Sequence, residues 1–423
     1  MGVTLGLENA LHAESAGLCR EVMRCLLNAR GVAVAGDAPR EGEQSAGRRA
    51  REVRTLFGPV RVEGRAYYHS ARDGAGRFPF DDALGLVNGS TPALAARAVE
   101  AALKEPYAAA ALSFSRSHAV AMTPEVLMAY PRSLAAAADR FVRDAAPPAS
   151  PAGAGAAACA CLAADGTGMP MRRRELRGVK GRGPGGRAKT REAKIGSVFE
   201  MQPAPGKPEE RARVPDSTTY VATLGRKAEF ADRLRGEFDR RFPVPPQVTL
   251  FLSDGAKWLR GIRRTHFPFA VEILDFYHAA EHLGPVLDLA GLAGKERKRT
   301  FRKWRRWLKH GKVDRLIETA QALAAAEGQA ARAKAWKKAL GYFTDNRTRM
   351  RYDEYLAKGW FIGSGVVESA CKTVVGRRFK QPGMFWSKKG ADALLPFRIA
   401  LMSGRYDELW LHIIGDRKQV RIA

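Results

Sequence analysis

Three carboxylates stand out by what surrounds them. Asp165 follows an apolar run in ACLAADGTGMP, Asp254 ends VTLFLSD, and Glu368 lies inside the helix-like stretch FIGSGVVESACK. If two short strands and a helix converge, the three side chains meet at one point, and gathered hard oxygen donors bind divalent cations such as Mg2+. The chain carries 71 Lys and Arg against 44 Asp and Glu, a formal net charge of +27. That excess favours a polyanionic partner. Together the two features predict magnesium-dependent chemistry on DNA. Read singly, Asp165-Gly166 and Asp254-Gly255 are also what ordinary turns look like.

The elements that must position these groups follow from periodicity. Leu7, Leu11, Leu18, Val22 and Leu26 recur at helical spacing, and REVRTLFGPVRVEGRAYYHS alternates about Gly58-Pro59 as a hairpin does. Residues 1–90 thus read as a small helix and β-hairpin module. Residues 91–144 read as helical, with Thr123-Pro124 as a helix start. They could form a helix-turn-helix for DNA, although Pro131 should end or kink the second helix. AAPPASPAGAGAAA, residues 145–158, has linker composition. Beyond it, ACACLAAD, IGSVFEMQ and TTYVATLG suggest a three-stranded meander. RKAEFADRLRGEFDRR reads as an exposed helix, VTLFLSD as a buried strand, WLRGIRRTHF as a helix and AVEILDFYH as a strand. The expected order over 159–278 is βββαβαβ, an α/β fold with a mixed sheet. Residues 279–360 read as an all-helical insertion, and 361–423 as helices that complete the core and carry Glu368.

Composition narrows the function classes. At 423 residues and 45% hydrophobic content, the chain can build more than one domain with a sizeable core. No apolar run approaches the roughly 18 residues that cross a bilayer, and the N-terminus lacks a signal-like core, so a cytoplasmic location is expected, nucleoid-associated if the partner is DNA. Five cysteines without a CxxC pair indicate neither a disulfide framework nor a cysteine zinc site. The abundance of Ala, Arg and Gly matches a GC-rich genome, but the basic residues are clustered. Residues 172–194 contain ten Lys or Arg, residues 295–312 contain ten, and residues 372–389 contain six with no acid. Such density predicts phosphate contacts and binding that weakens with salt. Trp304, Trp307 and Trp386 are interleaved with these charges and could stack on unpaired bases or anchor a core.

Seven segments in this order, DGTGMPM, GRAKTREAKIGSVF, PDSTTYV, SDGAKW, ILDFYHAAEHL, FIGSGVVESACKTVVGRRFKQPGMFW and a trailing SGR, resemble the DDE transposases of bacterial insertion sequences of the Kra type, more distantly the Mutator-like transposases. The resemblance covers roughly residues 50–415. It implies a ribonuclease H-like fold with an α-helical insertion before Glu368, and Asp165, Asp254 and Glu368 as a catalytic, metal-binding triad. It implies a site for two Mg2+ ions, with Mn2+ as a substitute, that serves DNA cleavage and 3′-hydroxyl strand transfer. The partners it implies are duplex DNA with terminal inverted repeats, target DNA and a second copy of the chain, with no membrane. The family's cysteine pair after the hairpin has no counterpart in YYHSARDGAGRFPFDDALGL, so no zinc ribbon is expected there.

The resemblance also makes Asp275 and His278 accessory active-site residues that help position DNA or a flipped base. The same segment reads as His278-x-x-Glu281-His282, the pattern of an inverted zinc protease with Glu354 as a nominal further ligand. It reads equally as a helix start with solvated histidines. From the basic segments, Arg187, Lys189, Lys372, Arg377, Arg378, Lys380 and Lys388 are expected to bind DNA. Lys372, one helical turn past Glu368, could hold a phosphate or simply pair with Glu368. A non-catalytic DNA-binding remnant is the competing function.

Overall fold

The computed structural model describes residues 2–32, 39–70, 76–146, 158–179, 181, 186, 188–204, 207–326, 332–363 and 365–419. Most of the expected linker 145–158, and Arg187, lie outside the described residues. The chain divides into two compact units. The first is Met1–Val142 with Arg377–Leu401 and Arg405–Ala423; the second is Arg143–Gly376 with Met402–Gly404.

The first unit opens with helix α1 (Gly2–Val32) and the hairpin of β1 (Glu43–Thr55) and β2 (Gly58–Ser70). The hairpin register closes at Thr55 and Gly58, so the turn is Leu56-Phe57, two residues before the expected Gly58-Pro59 centre. Its core joins Leu27 of α1 to Val53, Val60, Val62, Phe80 and Leu86. The apolar stripe that marks α1 in the sequence is a different face: Leu7, Leu11, Leu18, Val22 and Leu26 are all exposed. A short strand β3 (Gly76–Arg77) and helices α2 (Pro79–Ala83), α3 (Pro92–Lys104), α4 (Tyr107–Ser117) and α5 (Pro124–Asp144) follow. Pro131 does not end α5, which continues through it to Asp144, and the proline is buried on the packed face beside Leu127, Tyr130 and Leu134. Apolar packing there outweighs the lost backbone hydrogen bond.

The second unit is α/β. Its sheet contains β4 (Cys159–Pro170), β5 (Thr190–Ala204), β6 (Lys207–Arg213), β7 (Thr219–Thr223), β8 (Val248–Ser253) and β9 (Val271–Leu274). The order is β6-β5-β4-β8-β9, with β7 also on β5. Strands β6 and β7 pair with successive stretches of β5, Met201–Ala204 and Lys194–Val198. Pairing is antiparallel on the β5 side and parallel from β4 through β8 to β9, so the sheet is mixed. Strand β8 reads as one continuous apolar run because five of its six residues are buried.

Helices α6 (Lys227–Arg241) and α7 (Lys257–His266) fall in the expected places. However, α6 is only half a surface helix. Phe230, Leu234 and Phe238 pack with Leu162, Val198 and Phe251 of the sheet and Phe267 beyond α7. Its last residue, Arg241, is buried and donates to Glu200 at 3.0 Å. The helical stretch then comprises α8 (Phe276–Glu281), α9 (Leu283–Leu289), α10 (Gly294–Lys309), α11 (Val313–Ala324), α12 (Ala333–Asn346) and α13 (Tyr352–Ala357), as expected of the insertion. Trp304, Trp336 and Phe343 are buried within it. Helix α14 (Gly365–Ala370) follows, then a π-helical turn over Cys371–Gly376.

The chain ends with α15 (Arg377–Phe379), α16 (Lys388–Met402) and α17 (Tyr406–Gln419). These helices belong mostly to the first unit rather than completing the sheet unit. Two of them serve the end of α3, where Arg378 donates to the carbonyl of Ala102 and Arg398 to that of Leu103, while Tyr406 donates to the carbonyl of Ala96 in the first half of the helix. Terminal helix carbonyls have no partner within the helix, and cationic donors also suit the negative end of its dipole. Among the described residues, no helix is long and apolar enough to cross a membrane.

Candidate active site

The sheet sets the first two carboxylates side by side. Strands β4 and β8 run parallel, and their last paired residues are Ala164 and Ser253. Asp165 and Asp254 are the next residue on each chain, so one register places both. The surroundings of the two then differ. Asp165-Gly166 is not a turn: β4 continues to Pro170, paired along its length with β5. A Cβ at Gly166 would lie 2.5 Å from Glu192 Oε1, the mobile end of a side chain on β5. Asp254-Gly255 does leave the strand. Gly255 has φ +88°, and a Cβ there would also come 2.5 Å from Leu274 Cδ1.

Each aspartate is oriented by a neighbouring backbone N–H. Gly166 N–H donates to Asp165 Oδ1 at 2.6 Å, and Ala256 N–H donates to Asp254 Oδ1 at 2.9 Å. Burial raises the pKa of Asp165, and the charge of Asp254 adds to the rise; the Gly166 and Cys371 hydrogen bonds and nearby His278 oppose it. The charged form of Asp165 is therefore disfavoured in the direction that a bound cation relieves.

Glu368 reaches the same neighbourhood by another route. Its helix α14 packs on β4 and β5. One turn later, Cys371 Sγ donates to Asp165 Oδ2 at 3.4 Å. The Glu368 side chain itself is 66% exposed and lies 3.9 Å from Lys372. Among the described residues, no group of three or more His, Cys, Asp or Glu is drawn together closely enough to hold a metal. The aspartate pair fits a hard cation by donor type and charge, while the Glu368 carboxylate stands outside that pair.

Asp275 has a structural task that its spacing to His278 conceals. It is buried and caps α8, accepting from His278 N–H at 2.6 Å. His278 is half-exposed with Nδ1 3.7 Å from Glu281, and His282 stacks on Tyr342 with ring centroids 3.5 Å apart. Burial lowers the pKa of His282, and the charge of His278 lowers it further. Glu354 pairs with Arg351. The helix start is as expected, but the histidines are not both solvated: His282 is partly buried against Tyr342.

The expected DNA contacts divide. Lys189, Lys372, Arg377, Lys380 and Lys388 are exposed. Lys388 is paired with Asp392. Arg378 is fully buried, with its guanidinium 5.0 Å from the ring centre of Tyr107 and 4.9 Å from that of Trp386. Burial pulls its pKa down to about 10. It cannot meet a phosphate from there and instead holds the end of α3. Trp304 and Trp386 are also buried, and Trp386 Nε1 donates to Phe379 O at 3.0 Å. The densest exposed charge is on α10, where Lys295, Lys298, Arg299, Arg302, Lys303, Arg305, Arg306 and Lys309 all face solvent.

Sequence reasoning missed Cys371 and Tyr342. The interval of three residues from Glu368 was a usable signal for Cys371, because such residues share a helix face. Nothing local marks Tyr342. Comparison of the chain with protein-family models and with curated proteins returns no match.

Proposed function

We propose that this chain is an insertion-sequence DNA transposase of the DDE type, built on a ribonuclease H-like sheet unit, which binds terminal inverted repeats, cleaves DNA with Mg2+ and transfers 3′-hydroxyl ends to target DNA. The observation that carries the reading is the common register of Asp165 and Asp254 on parallel strands, with the Glu368 helix packed on the first of them. Strand order and direction support it. A ribonuclease H-like core needs its first acid on the first strand and its second after the fourth, with the first strand central. Here β4 is central, and β8 is fourth once β6 and β7 are taken as one interrupted edge strand.

Asp165 and Asp254 would hold the cation, with Glu368 joining when DNA is bound. Bound Mg2+ would stabilise the charge on the entering and leaving oxygens of an in-line phosphodiester displacement. The residues' own contribution is preorganisation. The Gly166 and Ala256 N–H groups fix the two carboxylates before any ligand arrives. Exposed Lys189, Lys372 and the cations of α10 would neutralise phosphates, so affinity should fall steeply with salt. Two DNA ends must be brought together, which requires at least two copies of the chain.

The test is cleavage of labelled duplexes carrying candidate element ends, in Mg2+, Mn2+ or Ca2+, by the wild type and by Asp165→Asn. Metal-dependent nicking at the end that disappears in the variant is expected. Binding without nicking in any metal would favour the DNA-binding remnant.

A further inference from the structure

We infer that Cys371 is a positioning residue for Asp165: its thiol fixes the direction of the carboxylate and ties the helix that carries Glu368 to it. The inference rests on the reading of Asp165 as a metal ligand. The Asp165 carboxylate is held at both oxygens from two directions. Its own strand supplies Gly166 N–H to Oδ1, and the segment after α14 supplies Cys371 Sγ to Oδ2. Each carboxylate oxygen accepts at two positions, so these contacts leave acceptor capacity for a cation on both. Held at one oxygen only, the group could rotate through the broad torsional well of an aspartate. Donors behind a ligand orient it and commonly alter metal affinity by about 10-fold to 100-fold.

The local backbone is shaped to make this contact. The α-helical pattern changes at Cys371 into a π-helical turn, a rare element that occurs often at functional sites. In that turn Val374 and Val375 are both fully buried, so the segment is anchored from behind. Cys371 is also buried, at 9% exposure, three residues from an exposed Glu368. The sulfur is therefore the fixed point of a segment whose carboxylate is free to move. Glu368 can swing toward the aspartates only from a helix already packed on β4 and β5, and the Cys371–Asp165 contact ties that helix to the carboxylate.

The experiment measures Mn2+ binding to the full chain without DNA, by electron paramagnetic resonance titration, alongside end cleavage. Wild type, Asp165→Asn, Cys371→Ala, Cys371→Val and Cys371→Ser are compared after thermal melting verifies folding. Valine fills the space but donates nothing, so it serves if alanine fails to fold; serine restores a donor. Cys371→Ala or Cys371→Val should weaken Mn2+ binding by about 10-fold or more, with kcat falling more than KM for DNA rises. Cys371→Ser should stay close to wild type. Equal losses in the serine, alanine and valine variants, or no loss in alanine and valine, would overturn the role and leave Cys371 as packing. Those outcomes are separable from failure of the functional reading. If the wild type binds no more Mn2+ than Asp165→Asn, the metal site itself falls, and the role of Cys371 with it.

Discussion

The two aspartates and the glutamate are held in opposite ways. Asp165 and Asp254 are placed by strand register, capped by adjacent backbone N–H groups and partly buried. Glu368 rides a six-residue helix with its side chain mostly in solvent, 3.9 Å from Lys372. On the proposed reading, the sheet builds half of the site before any ligand arrives, and the helix leaves the other half to be completed. Such an arrangement places the folding cost of gathering negative charge on two groups rather than three. Three buried carboxylates without a cation would repel strongly and shift toward their neutral forms.

The comparison can be broken from the aspartate side with the largest effect. Gly255→Val must force a β-branched residue into φ +88° and against Leu274. It should cost roughly 2 to 4 kcal/mol in stability, measurable by urea unfolding, and displace Asp254. Asp165→Asn should do the reverse to stability. Because burial raises the pKa of Asp165 in the folded chain, the folded state keeps its proton to higher pH than the unfolded state does. Stability therefore declines as pH rises through and above the ordinary carboxylate range. The asparagine variant should melt higher than wild type near neutral pH, and the difference should vanish in acid. Melting curves at several pH values check this, and a variant less stable at all pH values would contradict it.

From the glutamate side the structural effects should be small. Glu368→Gln should change stability by no more than about 0.5 kcal/mol, as for an ordinary surface position, yet abolish metal-dependent cleavage. Lys372→Ala should be smaller still. The pair is widely exposed at 3.9 Å, and such pairs contribute a few tenths of a kcal/mol at most, by about the measure of i, i+4 helix pairs. A large loss of DNA affinity in Lys372→Ala without a stability change would instead assign that lysine to a phosphate.

Much of the sheet was legible because its strands are apolar runs with polar breaks: β4, β5, β7 and β8 lie where the runs predict them, whereas the run AVEILDFYH is strand only over Val271–Leu274 and turns at Asp275, the cap of α8, into helix. Strand β6, KPEERAR, carries no apolar pattern and exists because β5 offers an edge to pair with. The turn at Asp254-Gly255 was readable, whereas the continuation of β4 past Asp165-Gly166 depends on β5 lying opposite, which no local signal encodes. Arg378 shows the same limit for charge. A run of Lys and Arg looks like a phosphate-binding face, but one member is buried because the carbonyl of Ala102, 276 residues earlier, needs a donor. Helix α5 passes through Pro131 for a similar reason, since tertiary packing overrides a local preference.

The central claim is that Asp165 and Asp254 together form the seat of a divalent cation. Anomalous diffraction from crystals of the protein equilibrated with Mn2+ tests it most directly. A peak within coordination distance of both carboxylates, lost in Asp254→Asn, is the predicted result. Manganese bound elsewhere, or no peak at the pair in crystals saturated with the ion, would contradict the account.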